Sequence, residues 1–231
     1  MKKLFTSTVI GLLALAVQSQ TITINSFTNS AGAGIPDGNA VGFAESFSVS
    51  GVSGTITNIQ ISLDISGGFN GDLYAYLVSP QGQFSVLLNR VGVTASNPFG
   101  YANTGFNLTL DGAASNNIHN YGSSPSLNGY GQVTGTWAAD GLNIDPQSAG
   151  TVFSTTTPTA GLTVFNGLTS GGVNGTWTLF IADLSAGGGS ATLNQAILSI
   201  MTVPEPQPWT LALVGGGMVF LTGRLKRKLQ K

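Results

Sequence analysis

The chain carries one histidine, His119, and no cysteine. Acid-base or nucleophilic chemistry therefore has a single imidazole to work with and no thiol. A serine hydrolase needs that imidazole within hydrogen-bond reach of an activated serine. His119 stands in Asn116-Asn117-Ile118-His119-Asn120-Tyr121, and no Gly-x-Ser-x-Gly elbow singles out a serine anywhere in the chain. A loop or surface histidine is the expectation, and a hydrolase is a remote alternative. Phosphate-binding loops, dinucleotide fingerprints, His-Glu-x-x-His and calcium-loop motifs are missing as well. The expected protein is not an enzyme and has no cofactor, with bound Ca²⁺ as the one open alternative.

That alternative comes from the carboxylates. Between residues 21 and 203 the acids are Asp37, Glu45, Asp64, Asp72, Asp111, Asp140, Asp145 and Asp183, against Arg90 as the only base, a net charge of −7. Asp72 and Asp183 sit beside glycine-rich turns, where a carboxylate either accepts backbone N–H bonds or helps hold a hard cation. They are the first calcium ligands to consider, with Asp64 third. Such an acidic body repels a phosphate backbone, which excludes nucleic acid as a partner. Arg90, alone among acids, is expected to pair with a carboxylate.

The elements that must position these residues are strands. Apolar and polar residues alternate at Ile22 and Ile24; Ile59, Ile61, Leu63 and Ile65; Leu73, Ala75 and Leu77; Phe84, Val86 and Leu88. The pattern returns at Phe106, Leu108 and Leu110; Trp177, Leu179 and Ile181; and Ala196, Leu198 and Ile200. Glycine and proline turns separate the runs, as at Gly67-Gly68-Phe69-Asn70-Gly71 and Ser79-Pro80-Gln81-Gly82. These features predict an all-β protein, a jelly-roll-like antiparallel β-sandwich. Residues 89–168 are less regular and predict long loops at one end. Gly-Thr-Trp occurs at 135–137 and 175–177, and two copies do not make a repeat. Trp177 is expected to fill the core with its indole N–H on a polar partner. Phe99, Tyr101, Tyr121 and Tyr130 could stack on sugar rings or pack the loops down.

The two ends have a different character. Lys2 and Lys3 precede an apolar run through Val17, the order of a secretory signal peptide, expected over residues 1–19 with cleavage after Ala16 or Ser19. At the other end Val203-Pro204-Glu205-Pro206 is followed by an apolar stretch from Trp209 to Thr222 and then by Arg224, Lys226, Arg227 and Lys228. As a helix those 14 residues reach about 21 Å against a hydrocarbon core of about 30 Å. The basic cluster acts as a cytoplasmic stop, and the prolines keep Glu205 in extended backbone. A signal helix and a short C-terminal transmembrane helix thus flank a body at 20–202.

The tail at 203–231 resembles the PEP-CTERM sorting signal of Gram-negative bacteria, with Pro204-Glu205-Pro206 as the motif. The resemblance implies an exosortase-like processing enzyme as partner, next to signal peptidase. It also implies transient membrane anchoring followed by a cell-surface or extracellular location, in organisms that often make exopolysaccharide. Within the body, Gly71-Asp72-Leu73, Ser79-Pro80-Gln81-Gly82, Leu87-Leu88-Asn89-Arg90 and Gly175-Thr176-Trp177-Thr178-Leu179 closing on Asp183 resemble the P domain of proprotein convertases, over about 56–201. That family's domain stabilises an attached subtilisin-type protease, and no such protease is present in these residues. Two function classes remain: a noncatalytic surface or matrix protein, and a carbohydrate- or protein-binding module.

Overall fold

A computed structural model describes residues 19–25, 32–122 and 125–203. The expected signal and C-terminal helices lie outside the described residues, and no described helix is long and apolar enough to cross a membrane.

The period-2 runs become strands of two sheets. One sheet has the order β1 (Gln20–Asn25), β10 (Ala191–Val203), β4 (Thr55–Ser66), β7 (Phe106–Asp111) and β8 (Val133–Trp137), with β2 (Ala33–Ile35) also on β10. The other has the order β3 (Asn39–Val49), β9 (Gly175–Asp183), β5 (Leu73–Val78) and β6 (Phe84–Asn89). Inward residues of both sheets form one core. Ile59, Ile61, Leu63, Ile65, Leu198 and Ile200 come from the first, and Phe47, Leu73, Leu77, Trp177 and Leu179 from the second. Each such side chain contributes about 1.5–3 kcal/mol on burial, which suits a chain without a disulfide.

Three features depart from simple alternation. Val86, Leu87 and Leu88 are all buried because Ala75 pairs with Leu88 while the next residue, Tyr76, pairs with Val86. This bulge makes Leu87 the extra residue and breaks the expected phase of Phe84, Val86 and Leu88. Second, β7 and β8 run parallel, which corrects the expectation of a purely antiparallel sandwich. A parallel pair needs a crossover of a dozen or more residues, and residues 112–132 supply it. Third, the expected loop region between 89 and 168 holds, besides the expected strand β7, the strand β8 and a short helix, α1 (Gly150–Thr155). Its backbone closes the free edge of β6: the N–H groups of Asp140 and Gly141 donate to Leu87 and Val86 carbonyls, and Val86 N–H donates to Ala160 O. An unpaired edge strand is thereby covered.

The outer faces of the two sheets differ. The first is polar, with Ser62 against Thr109 at 2.8 Å and the Asp64 carboxylate accepting from Gln132 Nε2 and Asn194 Nδ2. The second carries aromatic rings.

Candidate functional sites

His119 lies in a 3-10 turn, Ile118–Asn120, whose preceding residue Asn117 accepts the His119 N–H through its side chain at 2.8 Å. The Asn117 amide donates in turn to the carbonyls of Ala139 and Asp140, which ties the turn to the segment carrying Asp140. Asp140 is fully buried and accepts from the backbone N–H groups of Asn89 and Leu142. Its Oδ2 lies 2.8 Å from His119 Nδ1. The other ring nitrogen, Nε2, lies 3.1 Å from the Val93 carbonyl, and a carbonyl only accepts. With Asp140 ionised, both ring nitrogens therefore donate and the ring is an imidazolium. Burial opposes that charge, but the Asp140 hydrogen bond and charge, with the Val93 carbonyl, outweigh it and raise the His119 pKa. Burial likewise pushes the Asp140 carboxyl up against the pull of His119. The ring of Phe153 stacks on the imidazole at 5.9 Å.

A pocket of about 320 Å³ adjoins this pair, lined among others by Thr94, Asn117, Phe153 and Ser154. The Ser154 hydroxyl accepts from Ala95 N–H at 2.8 Å. Both ring nitrogens of His119 already have partners, Asp140 Oδ2 and the Val93 carbonyl, so neither is free to meet that hydroxyl. Of the expected loop or surface position His119 takes the loop and not the surface, since it lies in a turn and is only 5% exposed.

The second site lies where β9 ends and β5 begins. These strands are antiparallel neighbours in which Leu73 opposes Asp183, and Leu184 N–H donates to the Asp72 carbonyl at 2.9 Å. The P-domain-like segments thus become adjacent. Gly71 permits this corner, since a Cβ there would lie 2.3 Å from Phe99 O and 2.8 Å from Tyr101 N. Leu73 and Trp177 fill the core, and the Trp177 indole N–H donates to Val173 O at 2.8 Å. Ser79, Pro80 and Gly82 form the β5–β6 turn, in which Gly82 N–H donates to Ser79 O. Pro80 packs against Gly175, where a Cβ would come within 2.9 Å of its ring.

Arg90 departs from expectation. Among the described residues it is the one non-glycine residue with positive φ, at 47°, and its guanidinium donates to the carbonyls of Gly71 and Pro98 at 3.3 Å each. Among the described residues the ion pair found is His119–Asp140, so Arg90 braces the corner loops instead of binding a carboxylate. Its charge still lowers the Asp72 pKa, but burial and Asp37 prevail and the net direction is up. Asp183 is 0% exposed. Its one hydrogen bond is from Ser185 N–H at 3.4 Å, and its Oδ2 has no partner. Burial, reinforced by Asp72 and Asp37, raises its pKa to about 6 despite that bond. Asp64 lies on the other sheet, held by Gln132 and Asn194. Among the described residues no three His, Cys, Asp or Glu side chains form a metal-holding group.

The third feature went unnoticed in the sequence. Tyr74, Tyr76, Phe84 and Phe180 share the outer face of the second sheet. Tyr76 stacks on Phe180 at 4.7 Å and 17°, touches Phe84 at 5.0 Å and meets Tyr74 edge-on at 5.8 Å. The available signal was aromatic residues at the strand positions out of phase with Leu73, Ala75 and Leu77. The four aromatics singled out earlier do not converge. Phe99 and Tyr130 are 78% and 89% exposed, whereas Tyr101 packs on the buried Tyr121 at 4.3 Å. The Tyr121 hydroxyl in turn meets Asn70 and Asn103. The motif residue Val203 is the last of β10, and Pro204, Glu205, Pro206, Arg224, Lys226, Arg227 and Lys228 lie outside the described residues.

Residues 56–118, from β4 through the turn that begins at Ile118, match the model of the proprotein convertase P-domain family. The body of the chain is a two-sheet β-sandwich, and the segment 56–118 within it is similar to the P-domain family. A solved structure of the serine protease of Aeromonas sobria is similar at 18% identity, covering 82% of this chain and 28% of that one, with a TM-score of 0.42. The same protease in complex with its chaperone gives 18% identity, 83% and 28% coverage, and a TM-score of 0.43. This chain therefore spans about 28% of that protease's length. No curated protein matches the sequence.

Proposed function

We propose that this is an exported, noncatalytic P-domain-type surface or matrix protein, delivered to the membrane by its signal peptide and trimmed through its C-terminal signal by an exosortase-like enzyme. The noncatalytic part rests on His119: the chain's one imidazole has both nitrogens on acceptors, so no base stands ready for a nucleophile. The sorting part is supported by the tail pattern, whose proline motif follows β10 directly in the sequence. Proline has no N–H to give a sheet, so the motif is a natural place for the last strand to stop. Mass spectrometry of the exported protein tests the sorting part. Loss of the tail at or near Pro204–Pro206 is expected, and intact chains ending at Lys231 from wild-type cells would refute it. Esterase, protease and glycosidase screens test the noncatalytic part, and turnover abolished by His119→Ala would overturn it.

A second reading, a binding module for a glycan or protein, is favoured by one observation. The outer face of the Tyr76 sheet carries four adjoining aromatic rings where the other sheet presents Ser, Thr, Asn and Asp. An uncharged aromatic platform suits the C–H faces of a neutral polysaccharide.

A further inference from the structure

We infer that Asp72 and Asp183 are the carboxylate ligands of a Ca²⁺ site at the corner where β9 ends and β5 begins. Buried carboxylates are met by donors or cations, because an unmet charge in a low-dielectric interior is costly. Asp183 is fully buried, yet it has one long bond, from Ser185 N–H, and none at Oδ2. The charges it feels are Asp72 and Asp37, both negative. Arg90, the sole base between residues 21 and 203, directs its guanidinium to the Gly71 and Pro98 carbonyls. Among the described residues none donates to Oδ2. A proton there would need an acceptor of its own and would leave Asp72 as it is, whereas one divalent ion satisfies both carboxylates.

The surroundings suit a hard ion. Asp72 lines a pocket of about 250 Å³ whose wall includes Gly100, Ala102, Ser185, Gly187 and Gly188. These short residues, beside the rings of Phe69, Phe99 and Tyr101, leave room for water to complete a coordination shell. Gly68 brings bare backbone against the carboxylate, since a Cβ on it would stand 3.5 Å from Asp183 Oδ2 and 2.9 Å from the Ala191 methyl. Calcium accepts six to eight oxygens, including carbonyls and waters, at flexible geometry. Asp72 is the one carboxylate on the pocket wall, Asp183 lies buried behind it at the end of β9, and with no imidazole or thiolate lining the pocket the donors point to calcium ahead of zinc or copper. Sites this lightly charged bind in roughly the 10⁻⁴–10⁻³ M range that matters outside a cell. The site does not depend on the sorting or noncatalytic reading, and its test reads neither.

The test is thermal unfolding of the purified full-length protein in EDTA, in CaCl₂ and in MgCl₂, with Tb³⁺ luminescence sensitised by Tyr101, which also lines the pocket. At free calcium about 100 times the dissociation constant, Tm is expected to rise by roughly 5–10 °C. Calcium should also quench the Tb³⁺ signal. Asp183→Asn and Asp72→Asn should each abolish both responses, and Asp64→Asn on the other sheet should keep them. If Asp183→Asn fails to fold, Asp72→Asn decides. A wild-type Tm unmoved by about 10 mM calcium, an equal rise in magnesium, or a calcium response that survives both substitutions would overturn the site.

Discussion

Nδ1 of His119 lies 2.8 Å from Oδ2 of Asp140, with both residues buried and 21 positions apart in the chain. Breaking a buried pair leaves one charge unmatched, at a cost of about 3–5 kcal/mol. His119→Ala should therefore lower stability by about 3 kcal/mol, measured by denaturant unfolding. Asp140→Asn should also cost stability, because an amide has one oxygen where the carboxylate uses two, Oδ2 for Asn89 N–H and Oδ1 for Leu142 N–H.

The same pair predicts a pH dependence. The folded-state pKa of His119 is raised above its unfolded value of about 6.5, and that of Asp140 is raised too, so the folded pair holds its proton more firmly. The His119 contribution to stability is fully present below about pH 6.5 and is lost as pH rises through its folded value. Tyr74, the other titratable group that feels Asp140, is itself raised, chiefly by burial, and stays neutral across this window. Unfolding followed from pH 6 to 9 should show a decline in wild type that is absent in His119→Ala. Equal slopes in the two proteins would remove the pair from the account.

Gly71→Ala should open the corner that carries Asp72. The added methyl would meet the backbone of Phe99 and Tyr101 at 2.3 and 2.8 Å, and backbone cannot rotate aside as a side chain can. It would also strain the bond from Gly71 N–H to Tyr101 O. A loss of about 1–3 kcal/mol is expected, with faster hydrogen exchange confined to the segment around residues 98–102.

Trp177→Ala should cost about 3–5 kcal/mol. The ring is wholly buried and meets Phe165 edge-on at 4.9 Å, and its removal also leaves the Val173 carbonyl without its indole donor. Trp177→Phe keeps most of the volume but not the donor, so it should lose less. Chemical denaturation with an unchanged m-value checks both.

Tyr76→Ala with Phe180→Ala tests the binding reading. Both residues are half-buried on the outer face, so the fold should survive with a loss of about 1–2 kcal/mol. Retention of the producer's exopolysaccharide in a pull-down should fall at least tenfold. Unchanged retention, or none in wild type, would leave the surface-protein reading alone.

The alternation of Ile59, Ile61, Leu63 and Ile65, or of Trp177, Leu179 and Ile181, was enough to mark strands, because side-chain direction in a strand repeats every two residues whatever it pairs with. The scarcity of acid-base equipment was equally plain, since one histidine and no thiol are matters of composition. The signature residues from Gly71 to Arg90 and from Gly175 to Asp183 were visible for the same reason: turns and strand ends are written in local glycine, proline and aspartate. The parallel pairing of β7 with β8 depended on how the 112–132 crossover is laid, and the bulge at Leu87 on the partner strand, so neither left a local mark. Tertiary structure alone set His119 on Asp140, turned Arg90 from carboxylates to carbonyls, brought Asp72 beside Asp183 and exchanged Asp64 for Asp37 as their third neighbour. Local pattern decides which face of a strand is buried, whereas which charges meet is decided by strand order and loop path, and those follow only from closing both sheets over one core.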